Sequence, residues 1–190
     1  MIDCKKGHGV TLVEVMVVIA IFTIIGGVLM RILLVGGTSW RVGEAQAEVI
    51  KEARKGMSWM ARELQHTRSS QITGALADGS PYNLIIFRLP IDDEDDLADD
   101  DDVIDVSGYV EWSDQIQYSR GGTNNRQLLR TEGDVSTPIV NDVTTLTFRR
   151  LASTPDIVEI TIGTQKTTIE GTVVPTNGPF TLSNKIKLRN

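Results

Sequence analysis

The sequence is short of the residues from which most catalytic and metal sites are built. It contains one cysteine, Cys4, and two histidines, His8 and His66, in 190 residues. A single cysteine cannot form an intramolecular disulfide, and so few histidines remove most zinc sites and most nucleophiles paired with a histidine base. The Walker loop and the Gly-x-Ser-x-Gly motif are also absent. We therefore predict that the protein is not an enzyme and that it carries no cofactor, apart from the calcium considered below.

Positive charge is scarce as well. The chain has 19 Lys and Arg residues against 25 Asp and Glu residues, so its net charge is −6. Without a basic excess to neutralise phosphates, the protein is not expected to bind nucleic acid through its overall charge. Ten of the acids lie in residues 92–105, a segment without any basic residue. The acidity is therefore one local feature of the chain.

An apolar run near the N-terminus is long enough to cross a membrane. From Val10 to Met30 the one charged residue is Glu14, and after Arg31 the apolar run continues to Val35. A helix of this length spans the roughly 30 Å hydrocarbon core of a bilayer. The lysines at positions 5 and 6 predict that the residues before the run stay cytoplasmic.

Three interpretations compete for this run. A cleaved secretory signal peptide has a shorter apolar core of about 7–15 residues. An uncleaved single-pass anchor fits the length but does not explain Glu14, because a carboxylate inside a bilayer costs about 2.5–3.5 kcal/mol and usually has a partner. The third interpretation supplies that partner.

Residues 5–15, KKGHGVTLVEV, resemble the class III signal of type IV prepilins and type II secretion pseudopilins. The resemblance implies that a prepilin peptidase cuts after Gly9 on the cytoplasmic face and then methylates the new amine of Val10. Glu14 would become the fifth residue of the mature chain, and its carboxylate would compensate the amine of a neighbouring subunit. Opposite charges that meet in a low dielectric offset each other's desolvation. Glu14 is therefore the predicted assembly residue.

The same resemblance indicates the partners and the kind of subunit. The implied partners are the prepilin peptidase, other minor and major pilins or pseudopilins, and the inner membrane. Val10 stands where the family usually has Phe or Met, and Arg31 where many major pilins have proline, so a minor subunit is favoured. The order of strands and turns in the C-terminal half is similar to J-type minor pseudopilins of type II secretion and related minor pilins. This likeness implies a head on the periplasmic or external side, at the tip of the pseudopilus or pilus.

The helix is predicted to continue beyond the apolar run. Apolar residues recur at steps of three or four, which is typical of an amphipathic helix: Val42, Ala45, Val49, Ala53, Met57, Met60 and Leu64. The opposite face is polar, and Glu48–Lys51 and Glu52–Lys55 are the spacings at which ion pairs form on neighbouring turns.

The remaining sequence indicates β structure. Strand patterns include Leu84–Leu89, Val143–Leu151 and Thr168–Val174, and glycine and proline interrupt them without a second long helix. We predict an α+β fold, with a long N-terminal helix packed on an antiparallel β-sheet head. The predicted divisions are a leader at 1–9, a membrane-spanning or filament-core helix at 10–35, its amphipathic continuation at 36–70, and a head at 71–190 with an acidic loop at 91–105.

The acidic loop is the one site-like feature of the predicted head. Calcium takes six to eight oxygen ligands, and the candidate ligands here are Asp92, Asp93, Asp95, Asp99 and Asp101. The run lacks the glycine and the spacing of a standard calcium loop, and blocks of like charge are usually solvated. A solvated connection and a site for calcium or a basic partner both stay open. The second leaves a different hypothesis for the whole protein, an uncleaved membrane-anchored binding module.

Overall fold

A computed structural model of the protein describes residues 11–91, 110–169 and 171–189. The chain divides into two units, Met1–Glu44 and Ala45–Asn190. The helix α1, Leu12–His66, begins in the first unit and ends in the second. A 3₁₀ turn at Ser69–Gln71 follows it.

The amphipathic stripe predicted for the second half of α1 is confirmed. The positions of this stripe from Ala45 to Leu64 are all buried, and Gly56 is buried with them. Val42 is half-buried. The apolar residues recur with the helical period, so they form one continuous face that needs an apolar surface to cover it.

Two antiparallel four-stranded sheets and a small hairpin form the rest of the described chain. The strands are β1 Pro81–Tyr82, β2 Leu84–Phe87, β3 Ile116–Gly121, β4 Gln127–Glu132, β5 Val135–Val140, β6 Val143–Leu151, β7 Thr154–Thr164, β8 Lys166–Thr167, β9 Val173–Val174 and β10 Phe180–Lys187. One sheet has the order β1-β6-β7-β10, the other β2-β3-β4-β5, and β8 pairs with β9. The predicted α+β class with antiparallel strands is confirmed.

The strand predictions succeeded where burial alternates and failed where it does not. The strand β6 has the predicted bounds, and its side chains alternate between buried and accessible positions. The predicted strand Thr168–Val174 is wrong except at its last two residues, because Thr168 and Thr172 close a tight turn that places Gly171 at φ +80°. The strand β5 was not predicted, since it contains Pro138, which a strand tolerates at a sheet edge.

Both larger sheets pack against the same face of α1. The core joins Met57, Met60 and Leu64 of the helix to buried residues of each sheet. From the second sheet come Phe87 and Tyr118, whose rings stack with centroids 5.8 Å apart. The helix and the sheets approach closely at Gly56, because a Cβ there would lie 2.9 Å from Val140 and 3.0 Å from Ile162, one residue from each sheet.

A buried arginine holds the segment after the helix against the first sheet. Arg150 of β6 is 4 % exposed. Its guanidinium donates to the carbonyl oxygens of Ala75 and Pro155 at 2.9 and 2.8 Å, and to the Ser69 hydroxyl at 2.7 Å. Burial lowers the pKa of Arg150 below its ordinary value. The fixed fork of donors suits this site, which offers acceptors from three separate segments of the chain.

Polar contacts also fasten the second half of α1 to the sheets. The Thr164 hydroxyl donates to the Val49 carbonyl oxygen at 3.0 Å. The backbone N–H of Asn141 donates to the Glu52 carboxylate at 3.1 Å. Further along the helix, Glu63 accepts bonds from strands β3 and β4. The register of the helix is therefore set by directional bonds as well as by packing.

Candidate functional site

The first turn of α1 carries the one predicted site residue that the structure describes. Thr11 precedes the helix, and its side-chain oxygen accepts a hydrogen bond from the backbone N–H of Glu14 at 3.3 Å. Its carbonyl oxygen accepts the N–H of Val15, also at 3.3 Å. Thr11 therefore caps the helix, and Glu14 lies in the turn where a carboxylate interacts favourably with the helix dipole. The spacing of a threonine followed three residues later by a glutamate is a helix-start signal that the sequence analysis did not use.

The apolar run is exposed along its whole described length. All the residues from Thr11 to Arg41 are solvent-exposed. Within the described part of the chain, α1 is the one helix long and apolar enough to cross a membrane. Because the transfer of large apolar side chains out of water lowers the free energy, this surface is expected to be covered by lipid or by other apolar helices.

The polar groups within the run are satisfied by the helix itself. The Thr23 hydroxyl donates to the Ile19 carbonyl oxygen at 2.7 Å, and the Thr38 hydroxyl donates to Val35 at 2.9 Å. Both side chains can therefore enter an apolar medium without an orphaned donor. Glu14 and Arg31 are the two residues whose charge remains to be compensated there.

The other predicted site residues lie outside the described residues. These are the processing positions Gly9 and Val10 and the calcium candidates Asp92, Asp93, Asp95, Asp99 and Asp101. Within residues 11–91, 110–169 and 171–189, the His, Cys, Asp and Glu side chains form no group of three or more that could hold a metal ion. Processing at Gly9 and calcium binding by residues 92–105 both stay predictions.

The acids on the second half of α1 are used differently from the expectation. Glu48 pairs with Lys166 of β8, and Glu52 accepts the backbone N–H of Asn141. Neither forms the ion pair with Lys51 or Lys55 that the helical spacing suggested. The contacts with Lys166 and Asn141 replace the pairs within the helix because each combines a charge with a hydrogen bond.

A third acid, Glu63, is the centre of a half-buried polar network. Its carboxylate accepts the Tyr118 hydroxyl at 2.6 Å and the Arg130 Nε at 2.9 Å. Arg130 also pairs with Glu132 at 2.6 Å. Burial, reinforced by the bond to the Glu63 carboxylate, raises the pKa of Tyr118 far above its ordinary value of 10.0. The network fixes the helix on the second sheet.

An open groove with a mostly polar lining lies between the two sheets. Its volume is about 390 Å³, and it is lined by Asn83, Leu84, Ser119, Arg120, Asn125, Thr144, Thr145, Leu146 and Thr147. Among the described residues, this lining includes neither an acid nor a histidine. Arg120 is itself bonded to the carbonyl oxygen of Thr144.

Comparison with known proteins bears on the N-terminal region. A family model described as the prokaryotic N-terminal methylation motif matches residues 4–30. No curated protein and no solved structure matches the chain. The motif belongs to a structural rather than an enzymatic class, and it implies processing by prepilin peptidase and assembly with other pilins in a membrane. Together with the exposed apolar helix and the antiparallel sheets, the motif matched at residues 4–30 supports a type IV pilin-like protein.

Proposed function

We propose that the protein is a minor pilin or minor pseudopilin, of the J type, which is cleaved after Gly9 and methylated on Val10. The mature chain leaves the inner membrane and joins the tip of a type II secretion pseudopilus or a type IV pilus. The observation that carries the proposal is the union of a methylation motif at residues 4–30 with a helix whose apolar surface is exposed from its first turn.

The first turn gives the assembly step its chemistry. Glu14 lies on the exposed surface of a helix whose neighbouring side chains are apolar. A carboxylate that enters an apolar filament core without a partner carries a large desolvation cost, and a methylated amine from the next subunit offsets it. The pairing is satisfied at one stagger between neighbouring helices, so Glu14 sets the register of assembly.

The head is proposed to lie on the periplasmic side before assembly. Lys5 and Lys6 precede the apolar run, and positive residues favour the cytoplasmic side of a membrane. The chain after the run is then translocated, which places the two sheets outside the cytoplasm. This orientation leaves the peptidase cleavage position on the cytoplasmic face.

The decisive experiment is the intact mass and N-terminal sequence of the full chain, isolated from membranes of cells with and without prepilin peptidase. We expect a chain beginning at methylated Val10 only when the peptidase is present. Gly9→Leu, which removes the small residue before the cut, is expected to stop cleavage, and Gly7→Leu in the same leader serves as the matched control. A chain that still begins at Met1 in the presence of the peptidase would overturn the proposal and favour the uncleaved anchored module.

A further inference from the structure

Between Lys51 and Arg62, the face of α1 that points away from the sheets carries a basic surface. Lys51, Lys55, Ser58 and Arg62 follow one another at steps of four, three and four residues, and Arg54 lies beside them. At 3.6 residues per turn these positions share one side of the helix. All of them are exposed. We call the four cations Lys51, Arg54, Lys55 and Arg62 the basic stripe.

The basic stripe lacks counter-charges of its own. Between Lys51 and His66 the helix has two acids, Glu52 and Glu63, and both are turned toward the sheets. Among the residues that the structure describes, none of the four cations has an ion-pair partner within 4.0 Å. Between Lys51 and His66 both acids of the helix therefore bond to the sheets, and the outer face of this stretch is positive.

An aromatic side chain borders this surface. Trp59 follows Ser58 on the helix and remains 44 % exposed, although the next residue, Met60, is fully buried. An exposed tryptophan among cations is typical of a surface that is covered by a partner, because its ring supplies contact area at a small entropy cost. The partner that fits the stripe is an acidic, flexible polypeptide with some apolar residues.

This chain contains a segment with that chemistry. Residues 92–105 carry ten acids and no base, and Leu97, Val103 and Ile104 are interspersed among them. The charge complementarity to the basic stripe is direct.

The segment is also tethered at the right end of the helix. The described chain stops at Ile91 and resumes at Val110, and the Ile91 N–H donates to the Glu111 carbonyl oxygen at 3.1 Å. Just before this point the Arg88 carbonyl oxygen accepts the Thr67 hydroxyl, one residue beyond α1, at 2.6 Å. On the returning side, Trp112 lies 5.8 Å from the Arg68 guanidinium. Both ends of the segment therefore lie next to the C-terminal end of α1.

The length of the segment is sufficient to reach the stripe. From Thr67 back to Lys51 the helix measures about 24 Å at 1.5 Å per residue. Residues 92–109 can go out and back over about 30 Å at roughly 3.4 Å per residue. A tether of this length gives an effective concentration in the millimolar range, which favours the chain's own segment over a free partner.

We propose that the acidic segment 92–105 docks on the basic stripe of the same chain. The cover is electrostatic, with the apolar residues of the segment meeting Trp59. It accounts in one step for a positive helix face without counter-charges and for ten acids gathered at one place in the sequence. This proposal is independent of cleavage after Gly9, so either can fail while the other stands.

The test is a photo-cross-link from within the stripe. Benzoylphenylalanine is introduced in place of Ser58 in the full chain, purified in detergent, and the irradiated product is digested and mapped by mass spectrometry. We expect a cross-linked monomer whose joined peptide comes from residues 92–105. Val135, which is 69 % exposed on the edge strand β5, is the matched control position and is expected to give no such peptide.

Charge changes on both sides make the test specific. The triple substitution Lys51→Glu, Lys55→Glu, Arg62→Glu is expected to lower the cross-link yield about tenfold, since three attractions become repulsions. Asn at positions 99–102 should act in the same direction, and 1 M NaCl should do so without any substitution, because it shortens the screening length to about 3 Å. Lysines at 99–102 combined with the triple substitution should restore the yield. Circular dichroism and thermal unfolding confirm that each variant is folded.

Three results would overturn the proposal. A cross-link between two chains would show that the stripe binds a neighbouring copy. A product without residues 92–105 would show that another surface covers the stripe. A yield that is unchanged by salt and by both charge variants would show that the contact is not electrostatic.

Discussion

The two halves of α1 have the same secondary structure and opposite relations to their surroundings. From Leu12 to Arg41 every residue is exposed, whereas from Ala45 to Leu64 each turn contributes a buried residue. The first half is apolar on all sides, which is typical of a helix covered by lipid or by other helices. The second half is apolar on one side, and its own sheets cover that side. The difference lies in the distribution of apolar residues around the helix, and it separates the part on which the proposed assembly depends from the part that packs on the sheets.

The glycines of the helix make the same distinction. A Cβ added at Gly26, Gly27, Gly36 or Gly37 meets nothing within 4 Å in the described structure. At Gly56 it meets side chains of both sheets. The fold of the single chain explains the second case, since a larger residue would push the helix off the sheets. It gives no reason for the first four, where small residues permit close approach between helices in an apolar medium.

The largest effect is expected from a substitution in the first half of α1 that leaves the packing of the second half unchanged. Glu14→Ala should reduce incorporation into filaments by about a hundredfold, because an amine left unpaired in a low dielectric costs about 3–5 kcal/mol. The amounts of the protein in sheared filaments and in membranes are compared by immunoblot, and the membrane amount should not change. Glu44→Gln, an exposed acid on the same helix, is the control. Normal incorporation of Glu14→Ala would contradict the assembly role.

A smaller effect is expected from the second half alone. Gly56→Val should lower the free energy of unfolding of the head by about 2 kcal/mol, since the added methyl groups overpack the junction with Val140 and Ile162. The melting temperature should fall by about 4–8 °C, as measured by circular dichroism on the full chain in detergent. Gly43→Val places the same side chain where nothing lies within 4 Å. Because valine is a better helix former than glycine, Gly43→Val should cause no loss, and equal losses from the two variants would contradict the packing explanation.

The smallest effect is expected at Tyr118, whose bond to the second half of α1 should contribute to stability in a pH-dependent way. The pKa of Tyr118 is raised in the folded state, mainly by burial, so its contribution to stability is complete below its unfolded pKa of about 10 and is lost as the pH rises above that value. Tyr118→Phe should cost about 1 kcal/mol at pH 7, the value of a buried hydrogen bond. Above pH 10 the wild type should lose stability faster than the variant, and the gap between them should close.

Urea unfolding of the full chain between pH 8 and 11.5 measures this gap. Tyr82→Phe is the comparison, because the pKa of Tyr82 is raised mainly by its bond to Asp78 and not by burial, so a smaller change with pH is expected. A gap that stays constant across the range would mean that Tyr118 ionises with an ordinary pKa.

An element was predictable from the sequence where the spacing of its apolar residues matched the face that is buried in the structure. The apolar run and the helical stripe determine α1, and the alternation in Val143–Leu151 determines β6, because each pattern matches the face that is buried. The strand β5 could not be predicted because it contains Pro138, and proline is tolerated in an edge strand but not in a central one. The pairings of Glu48 and Glu52 were also hidden, since their partners Lys166 and Asn141 are 118 and 89 residues away along the chain.

The candidate site was predictable from its local motif. The methylation signal lies within one continuous stretch, and a family model recognises it at residues 4–30. The capping role of Thr11 was equally local, and it was available from its spacing to Glu14. By contrast, the basic stripe could not be recognised from the sequence. Acids and bases alternate along that part of the helix, and the sheets must be in place before the acids are seen to turn away from it.

The contacts between the second half of α1 and the sheets also bear on how the subunit carries mechanical load. Thr164 holds the carbonyl of Val49, Asn141 holds Glu52, and Tyr118 and Arg130 hold Glu63. These attachments are spread over about 20 Å of helix. A pull along the helix axis, as when a subunit is drawn from a membrane, would act on them as shear and load them all together. A head fastened in this way yields when several bonds and the packed core fail at once, so the helix can transmit force to the sheets without first peeling away from them.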